Sequence, residues 1–290
     1  MTAPDAAVGS HRKPLDSEID VYGLTHPGTV RSVNQDHFLV CSLRKNLEVL
    51  HTGLPNTDGL PVQGERMAML GLVADGVGGG LAGEEASRTA VHSVAQYVAS
   101  SARCYYAANA QDEREFFDSL QSAALESHAA VVRTSTSDPD RRGMATTLTL
   151  LIGVWPRAYI LQVGDSRCYL LKGDELIQIT RDQTVAQDLI DQGLLTSTAA
   201  HRTRWAHVLS SSIGGRQTVP VVTSIDQSWD DVLLLCSDGL TKHVSDDRIR
   251  ERLRSMTSAQ QVCEDLLQDA LDGGGTDNIT IIVERVTGQE

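Results

Sequence analysis

Three aspartates stand where an apolar run meets a glycine-bearing turn. Asp75 ends the run Leu70-Gly71-Leu72-Val73-Ala74 and is followed by Gly76-Val77-Gly78-Gly79-Gly80. Asp238 follows Val232-Leu233-Leu234-Leu235-Cys236 through Ser237 and precedes Gly239, and Asp277 follows Gly273-Gly274-Gly275 just ahead of the strand-like run Ile279 to Val283. One Asp-Gly is ordinary turn chemistry. Three at the mouths of apolar strands bring carboxylates to one end of a core. Two anions ~4 Å apart repel by about 4 kcal/mol at an effective dielectric of about 20, and a divalent cation turns that repulsion into binding. An all-oxygen set without Cys or His clusters points to Mg²⁺ or Mn²⁺ rather than Zn²⁺. The glycines let a backbone carbonyl approach as a further ligand. A second cluster, Arg31-Ser32-Val33-Asn34-Gln35-Asp36, also precedes a strand. The planar fork of Arg31 matches phosphate oxygens, so beside a carboxylate-rich metal site it is the natural clamp for an anionic substrate.

These residues need elements to position them. Tyr22 to Thr25, His37 to Ser42 and Met67 to Ala74 read as strands, with a long loop expected over 52–66. Ala86, Ala90, Val94 and Val98 recur at helical spacing within 83–100, and Phe117, Leu120, Ala124 and Val131 do so within 112–133. His128 shares that second stripe and reads as a packing residue. The period then changes: Thr146–Val154, Ala158–Val163, Arg167–Lys172 and Glu175–Ile179 are strand-like, and their short connections predict antiparallel neighbours. That excludes a doubly wound parallel core. Residues 182–220 hold one helical segment around Val185, Leu189 and Ile190, then an irregular stretch of the kind that often forms a flap. Asp231–Cys236 is a buried strand, Ala259–Leu271 a helix, and Asn278–Val286 the last strand. No linker divides the chain. The expectation is one domain of antiparallel sheets with helices on their outer faces, over 18–290, preceded by a flexible tail at 1–17.

Composition narrows the function. Lys and Arg number 25 against 38 Asp and Glu, a formal net charge of −13, so nucleic acid and anionic membranes are poor partners for the chain as a whole. The 4% aromatic content means a core of Val, Leu, Ile and Ala. Five scattered cysteines without a Cys-x-x-Cys pair fit neither a disulfide framework nor a zinc site. No run is long enough to span a bilayer. A cytoplasmic protein without membrane or nucleic-acid partners is the expectation.

Laid out in order, the chain resembles the bacterial branch of the metal-dependent type 2C protein serine/threonine phosphatases over about Ile19 to Val286. The resemblance rests on Arg31-x-x-Asn34-Gln35-Asp36, Asp75-Gly76-Val77-Gly78-Gly79, Gly143-Met144-Ala145-Thr146-Thr147, Gly164-Asp165-Ser166-Arg167, Ser237-Asp238-Gly239-Leu240 and Asp277-Asn278-Ile279-Thr280. It implies an α+β fold, a four-layer αββα sandwich with a metal channel at one end. It implies that Asp75 bridges two Mn²⁺ or Mg²⁺ ions, that the Gly76 carbonyl, Asp238 and Asp277 complete the protein ligands, and that Asp36 acts through metal-bound water. Arg31 would hold the substrate phosphate, and a third, weaker ion would sit between Asp140 and Asp238. The implied reaction is hydrolysis of phosphoserine or phosphothreonine in proteins by in-line attack of a water readied by two ions. The implied setting is signal transduction by a monomer opposing a bacterial Ser/Thr kinase.

Two positions depart from the family pattern. Val77 replaces a residue that is His in many eukaryotic relatives and cannot donate a proton, and Ala145 stands where Gly is usual. Asp165 and Arg167 are expected to serve a tight turn, and Cys236, inside an apolar strand, to be inert. His201, His207 and His243 have no ligand spacing. A phosphoprotein-binding domain without turnover and a phosphohydrolase for small molecules remain as alternatives, the first disfavoured because Arg31, Asp75, Asp238 and Asp277 are all present.

Overall fold

Apolar runs without polar alternation, such as Leu70–Ala74 and Val232–Cys236, form strands that must be covered on both faces. The computed structural model, which describes residues 12–46, 49, 51, 56, 64–78, 81–101, 110–200 and 203–288, shows that cover. Gly79, Gly80, Cys104, His201, the tail up to residue 11 and most of the loop expected over 52–66 lie outside the described residues. The strands are β1 (Ile19–His26), β2 (Asp36–Lys45), β3 (Glu65–Val77), β4 (Ala145–Thr146), β5 (Leu148–Val154), β6 (Arg157–Val163), β7 (Arg167–Lys172), β8 (Glu175–Gln178), β9 (Val221–Asp226), β10 (Val232–Cys236) and β11 (Ile279–Val286). The helices are α1 (Leu81–Ser100), α2 (Ala110–Ser137), α3 (Val185–Asp191), α4 (Ser197–Ala200), α5 (Asp238–Thr241), α6 (Asp246–Arg254) and α7 (Ala259–Asp272).

Two antiparallel sheets result, one ordered β1-β11-β10-β7-β8 and the other β2-β3-β5-β6-β9 with β4 beside β3. The period of two sorts side chains into layers. On β3, Ala68, Leu70 and Leu72 pack with Ala86, Ala90 and Val94 of α1 and with Leu120 and Ala124 of α2, while Val73 faces the other sheet. On β10, Val232, Leu234 and Cys236 meet Ile249 and Leu253 of α6 and Val262 and Leu266 of α7, while Leu233 and Leu235 face Val73. Each Val, Leu or Ile among them taken from water contributes about 1.5–3 kcal/mol. The expected αββα sandwich is what forms.

Several particulars differ from the sequence reading. The short-link rule holds for β5–β6 and β7–β8 but fails at Gly164-Asp165-Ser166, where the chain steps from one sheet to the other. The free edge of β6 is already taken by β9, so β7 cannot pair there. Gly164 makes the step at φ +107°, a conformation side chains resist. Thr149 Oγ1 donates to the Ser166 carbonyl at 2.9 Å to fix it. The strand expected over 146–154 breaks at Thr147, whose N–H donates to the Asp75 carbonyl and whose hydroxyl accepts from the Asp75 N–H, each at 2.9 Å. Phe116, not Phe117, is the buried aromatic of α2. Strand β9 was not expected, being a half-exposed edge. Nor was α6, which offers only Ile249 and Leu253 to the core. Residues 12–17, read as part of a tail, are docked: Arg12 donates twice to Glu18 and Arg66 donates to Asp16 at 2.7 Å.

Candidate metal and phosphate site

The register of the sandwich carries the functional side chains to one end. Asp36 opens β2 directly opposite Asp75 near the end of β3. Asp165 sits in the link between sheets, Asp238 starts α5 immediately after β10, and Asp277 lies just ahead of β11. Close backbone approach makes this possible. A side chain on Gly76 would collide with the Gly83 carbonyl, and one on Gly239 with the Asn278 carbonyl. Arg31, Asp75, Gly76, Val77, Asp165, His207, Asp238, Lys242 and Asp277 line a single cleft of about 490 Å³.

Asp36 is buried beneath that cleft. Its Oδ2 accepts from Thr280 Oγ1 and Ser237 Oγ, both at 2.7 Å, whereas its Oδ1 is buried without a partner among the described residues. Burial pushes its carboxyl up to about 6, with Asp238 and Asp277 adding to the rise and the two hydroxyls opposing it. Burial also holds Asp75 well above the usual carboxylate range, reinforced by Asp36, Asp238, Asp165 and Asp277. Asp165 is raised to about 8 by burial, then by Asp238 and Asp182. Asp277 goes the other way. Burial would raise it, but hydrogen bonds from Lys242 and Arg31 bring it below its ordinary value.

That pattern tests whether a divalent ion suits these residues. Carboxylates driven against one another, with the buried oxygens Asp36 Oδ1 and Asp238 Oδ1 lacking a partner among the described residues, are hard donors short of positive charge. The donor set fits Mg²⁺ or Mn²⁺. Among the described residues no three His, Cys, Asp or Glu side chains stand in a geometry that could hold an ion as they are placed. Lys242 Nζ lies 2.7 Å from both Asp238 and Asp277, and Arg31 Nε lies 2.9 Å from Asp277.

The sequence reading and the geometry agree unevenly. Arg31, Asp36, Asp75, Gly76, Asp238 and Asp277 come together. Asp140 stands outside the cleft, lining a groove with Glu84, Glu85, Arg88 and Arg141. Its turn is fixed there by the Asp138 cap and by Arg141 reaching Glu85. Asp165, Lys242 and His207 were missed as cleft residues. The short-link rule hid Asp165, and Lys242 is legible only as the residue one turn beyond Asp238. Arg167 is structural as expected, donating to Asp182 at 2.9 and 2.7 Å and to Tyr169 at 2.8 Å. His243 bridges Gly273 and Thr276 and so braces the turn before Asp277, and His128 accepts from the Gly214 N–H. The Cys236 thiol is fully buried and pushed up to about 12, so it is no nucleophile. Val77 faces the cleft without a proton to give.

Comparison with known proteins agrees with this geometry. The sequence matches the protein phosphatase 2C family profile over residues 48–273. It is 34% identical over 219 residues to the serine/threonine protein phosphatase PstP of Mycobacterium tuberculosis, covering 76% of this chain but only 40% of that protein's length. It is also 34% identical over 216 residues to the serine/threonine phosphatase stp of Listeria monocytogenes, covering 74% of this chain and 83% of that one. The crystal structure of the PstP catalytic domain in complex with two manganese ions superposes with a TM-score of 0.70 at 30% identity, covering 93% of this chain and 99% of that one. The order of strands, the end at which the aspartates gather and these likenesses lead to one assignment: this chain belongs to the protein phosphatase 2C family.

Proposed function

We propose that the chain is a metal-dependent phosphatase acting on phosphoserine and phosphothreonine in proteins. The observation that carries this is the convergence of Asp36, Asp75, Asp165, Asp238 and Asp277 on one strand-end cleft with buried oxygens left unpartnered, beside the guanidinium of Arg31. Asp75, Asp238, Asp277 and the Gly76 carbonyl would hold two Mn²⁺ or Mg²⁺ ions, which supply positive charge to the phosphoryl group and acidify water. Asp36, fixed by Thr280 and Ser237, orients the solvent of the site from below. Arg31, half exposed at the rim, pairs its fork with Asp277 and would clamp the substrate phosphate when released from that carboxylate. Lys242 adds a second cation on the same side. Val77 leaves protonation of the departing seryl or threonyl oxygen to solvent or to another cleft group.

The segment 182–220 closes one wall through His207, Val208, Leu209 and Ser212. It is anchored at its base by Arg167 on Asp182 and by Gln183 on Gly164. We read it as the flap that selects among phosphoproteins. Shortening it between residues 193 and 200 is then expected to alter discrimination among phosphopeptides more than turnover of a small aryl phosphate, and equal losses on both count against that role. Among the described residues no helix is long and apolar enough to cross a membrane. The reading places the chain in the cytoplasm as a monomer opposing a Ser/Thr kinase.

Purified protein is expected to hydrolyse p-nitrophenyl phosphate and a phosphothreonine peptide with Mn²⁺, and Asp238→Asn to abolish both. Wild-type rates in that variant, or turnover of nucleotides and sugar phosphates in preference to phosphopeptides, would overturn the assignment.

A further inference from the structure

The cleft contains its own cation, poised on the oxygens a metal would need. Lys242 follows Asp238 by one helical turn, and its Nζ lies 2.7 Å from Asp238 Oδ2 and 2.7 Å from Asp277 Oδ2. Arg31 takes the rest of Asp277, with Nε at 2.9 Å from Oδ1 and the outer nitrogen at 3.1 Å from Oδ2. Of the four carboxylate oxygens of Asp238 and Asp277, Asp238 Oδ1 alone lacks a partner among the described residues.

An ammonium hydrogen and a divalent ion cannot both occupy the inner side of one carboxylate. Asp238 Oδ1 stays open to an ion, but Asp238 Oδ2 and the oxygens of Asp277 become available only as Lys242 and Arg31 withdraw. The four-carbon stem of Lys242 allows that movement. A receiving space adjoins it, a cavity of about 290 Å³ lined by Asp165, Asp182, Thr241 and His207 as well as by Lys242 itself. Asp182 in that wall is already held by Arg167, so Asp165 is the carboxylate that accepts the displaced charge. A guanidinium in the same place, broader and held by a fork, would be released less readily.

We propose that Lys242 is a resident counter-cation of this site: it holds Asp238 and Asp277 together in the metal-free protein and competes with divalent ions for the same oxygens, so that this chain binds its metal weakly. The proposal rests on the reading of Asp238 and Asp277 as metal ligands. Lys242 thereby tunes how much free divalent ion the protein needs before its cleft is complete.

Calorimetric titration of the metal-free full chain with Mn²⁺ tests this in wild type, Lys242→Gln and Lys242→Arg. Each displaced ion pair of this half-buried kind weakens binding by a few-fold, so Lys242→Gln is expected to bind Mn²⁺ about tenfold more tightly. Its metal-free melting temperature is expected to fall below that of wild type, and its rise on adding Mn²⁺ to be larger. Lys242→Arg keeps the charge and is expected to bind no more tightly than wild type. Where Lys242→Gln does not stay folded without metal, its affinity is read from the Mn²⁺-loaded form by competition with a chelator. Clear Mn²⁺ binding of equal strength in wild type and Lys242→Gln overturns the proposal and leaves the metal site standing. No Mn²⁺ binding in any of the three overturns the metal site and the proposal together.

Discussion

On the outer α6–α7 face, Asp269 receives Arg248 and Arg252, each through two nitrogens at distances between 2.7 and 3.1 Å. Those hydrogen bonds hold its carboxyl well below the usual range. At the strand-end cleft, Asp36, Asp75 and Asp165 are the same side chain in opposite company. Burial raises all three and the charge of Asp238 adds to each, while among the described residues Arg31 and Lys242 are the lysine and arginine side chains of the cleft lining. On the first face carboxylates are matched by cations and act as structural fasteners. In the second they are in surplus, and the surplus is a stored demand for positive charge. The position of that surplus, rather than the number of acidic residues, marks where the chemistry lies.

The comparison breaks most visibly under neutralisation of a cleft carboxylate. Asp75→Asn is expected to lower Mn²⁺-dependent turnover of a phosphothreonine peptide by about a thousandfold. The same change removes a buried carboxylate repelled by Asp36, Asp238, Asp165 and Asp277, so the metal-free protein is expected to melt at a higher temperature than wild type. A site evolved for function and not for stability shows this opposition. Activity within a few-fold of wild type would remove Asp75 from the reaction, and a lower metal-free melting temperature would deny the surplus.

The pH dependence of stability sharpens the same point. For Asp36 and Asp165 the folded carboxyl is raised, to about 6 and about 8, above its ordinary unfolded value. The folded state therefore binds more protons than the unfolded state across that window. Stability is full below the unfolded value and is lost as pH rises first through 6 and then through 8. Metal-free protein is expected to melt progressively lower from pH 5 to 9. Saturating Mn²⁺ is expected to flatten or reverse the slope, because ion binding favours the deprotonated carboxylates. A metal-free melting temperature that climbs across this range would contradict the assigned repulsion.

Much of this arrangement was legible in the sequence because strong local signals and the topology agree. Uninterrupted apolar runs ending in Asp-Gly marked β3 and β10, and the glycines beside them mark backbone contacts that exclude any side chain. What escaped depends on partners distant in the chain. Nothing local says that β9 takes the free edge of β6, yet that pairing sends β7 to the other sheet and turns Asp165 toward the cleft. Helix α6 was hidden because only Ile249 and Leu253 face inward, and it is fastened instead by the cap at Ser245 and the arginines on Asp269. Lys242 reads as an ordinary exposed lysine until Asp277, 35 residues on, is brought to its Nζ. Spacing reveals which residues can reach a common point, but not which of their charges remain unmatched once they arrive.

The gentlest test removes the matched carboxylate. In Asp269→Ala both arginines lose a partner but neither is stranded. Arg248 keeps Glu251 at 2.8 Å and Arg252 keeps Asp265 at 3.2 Å. Both sit near solvent, so the loss is expected to be about 1 kcal/mol, read as a lower urea midpoint at unchanged slope. Turnover is expected to stay at the wild-type level, since α6 and α7 touch the cleft only through the elements between them. Salt should shrink the difference, because it screens exposed pairs first. Set beside Asp75→Asn, the two substitutions remove the same negative charge and are expected to move metal-free stability in opposite directions. If both lower it, the distinction between matched and surplus carboxylates fails.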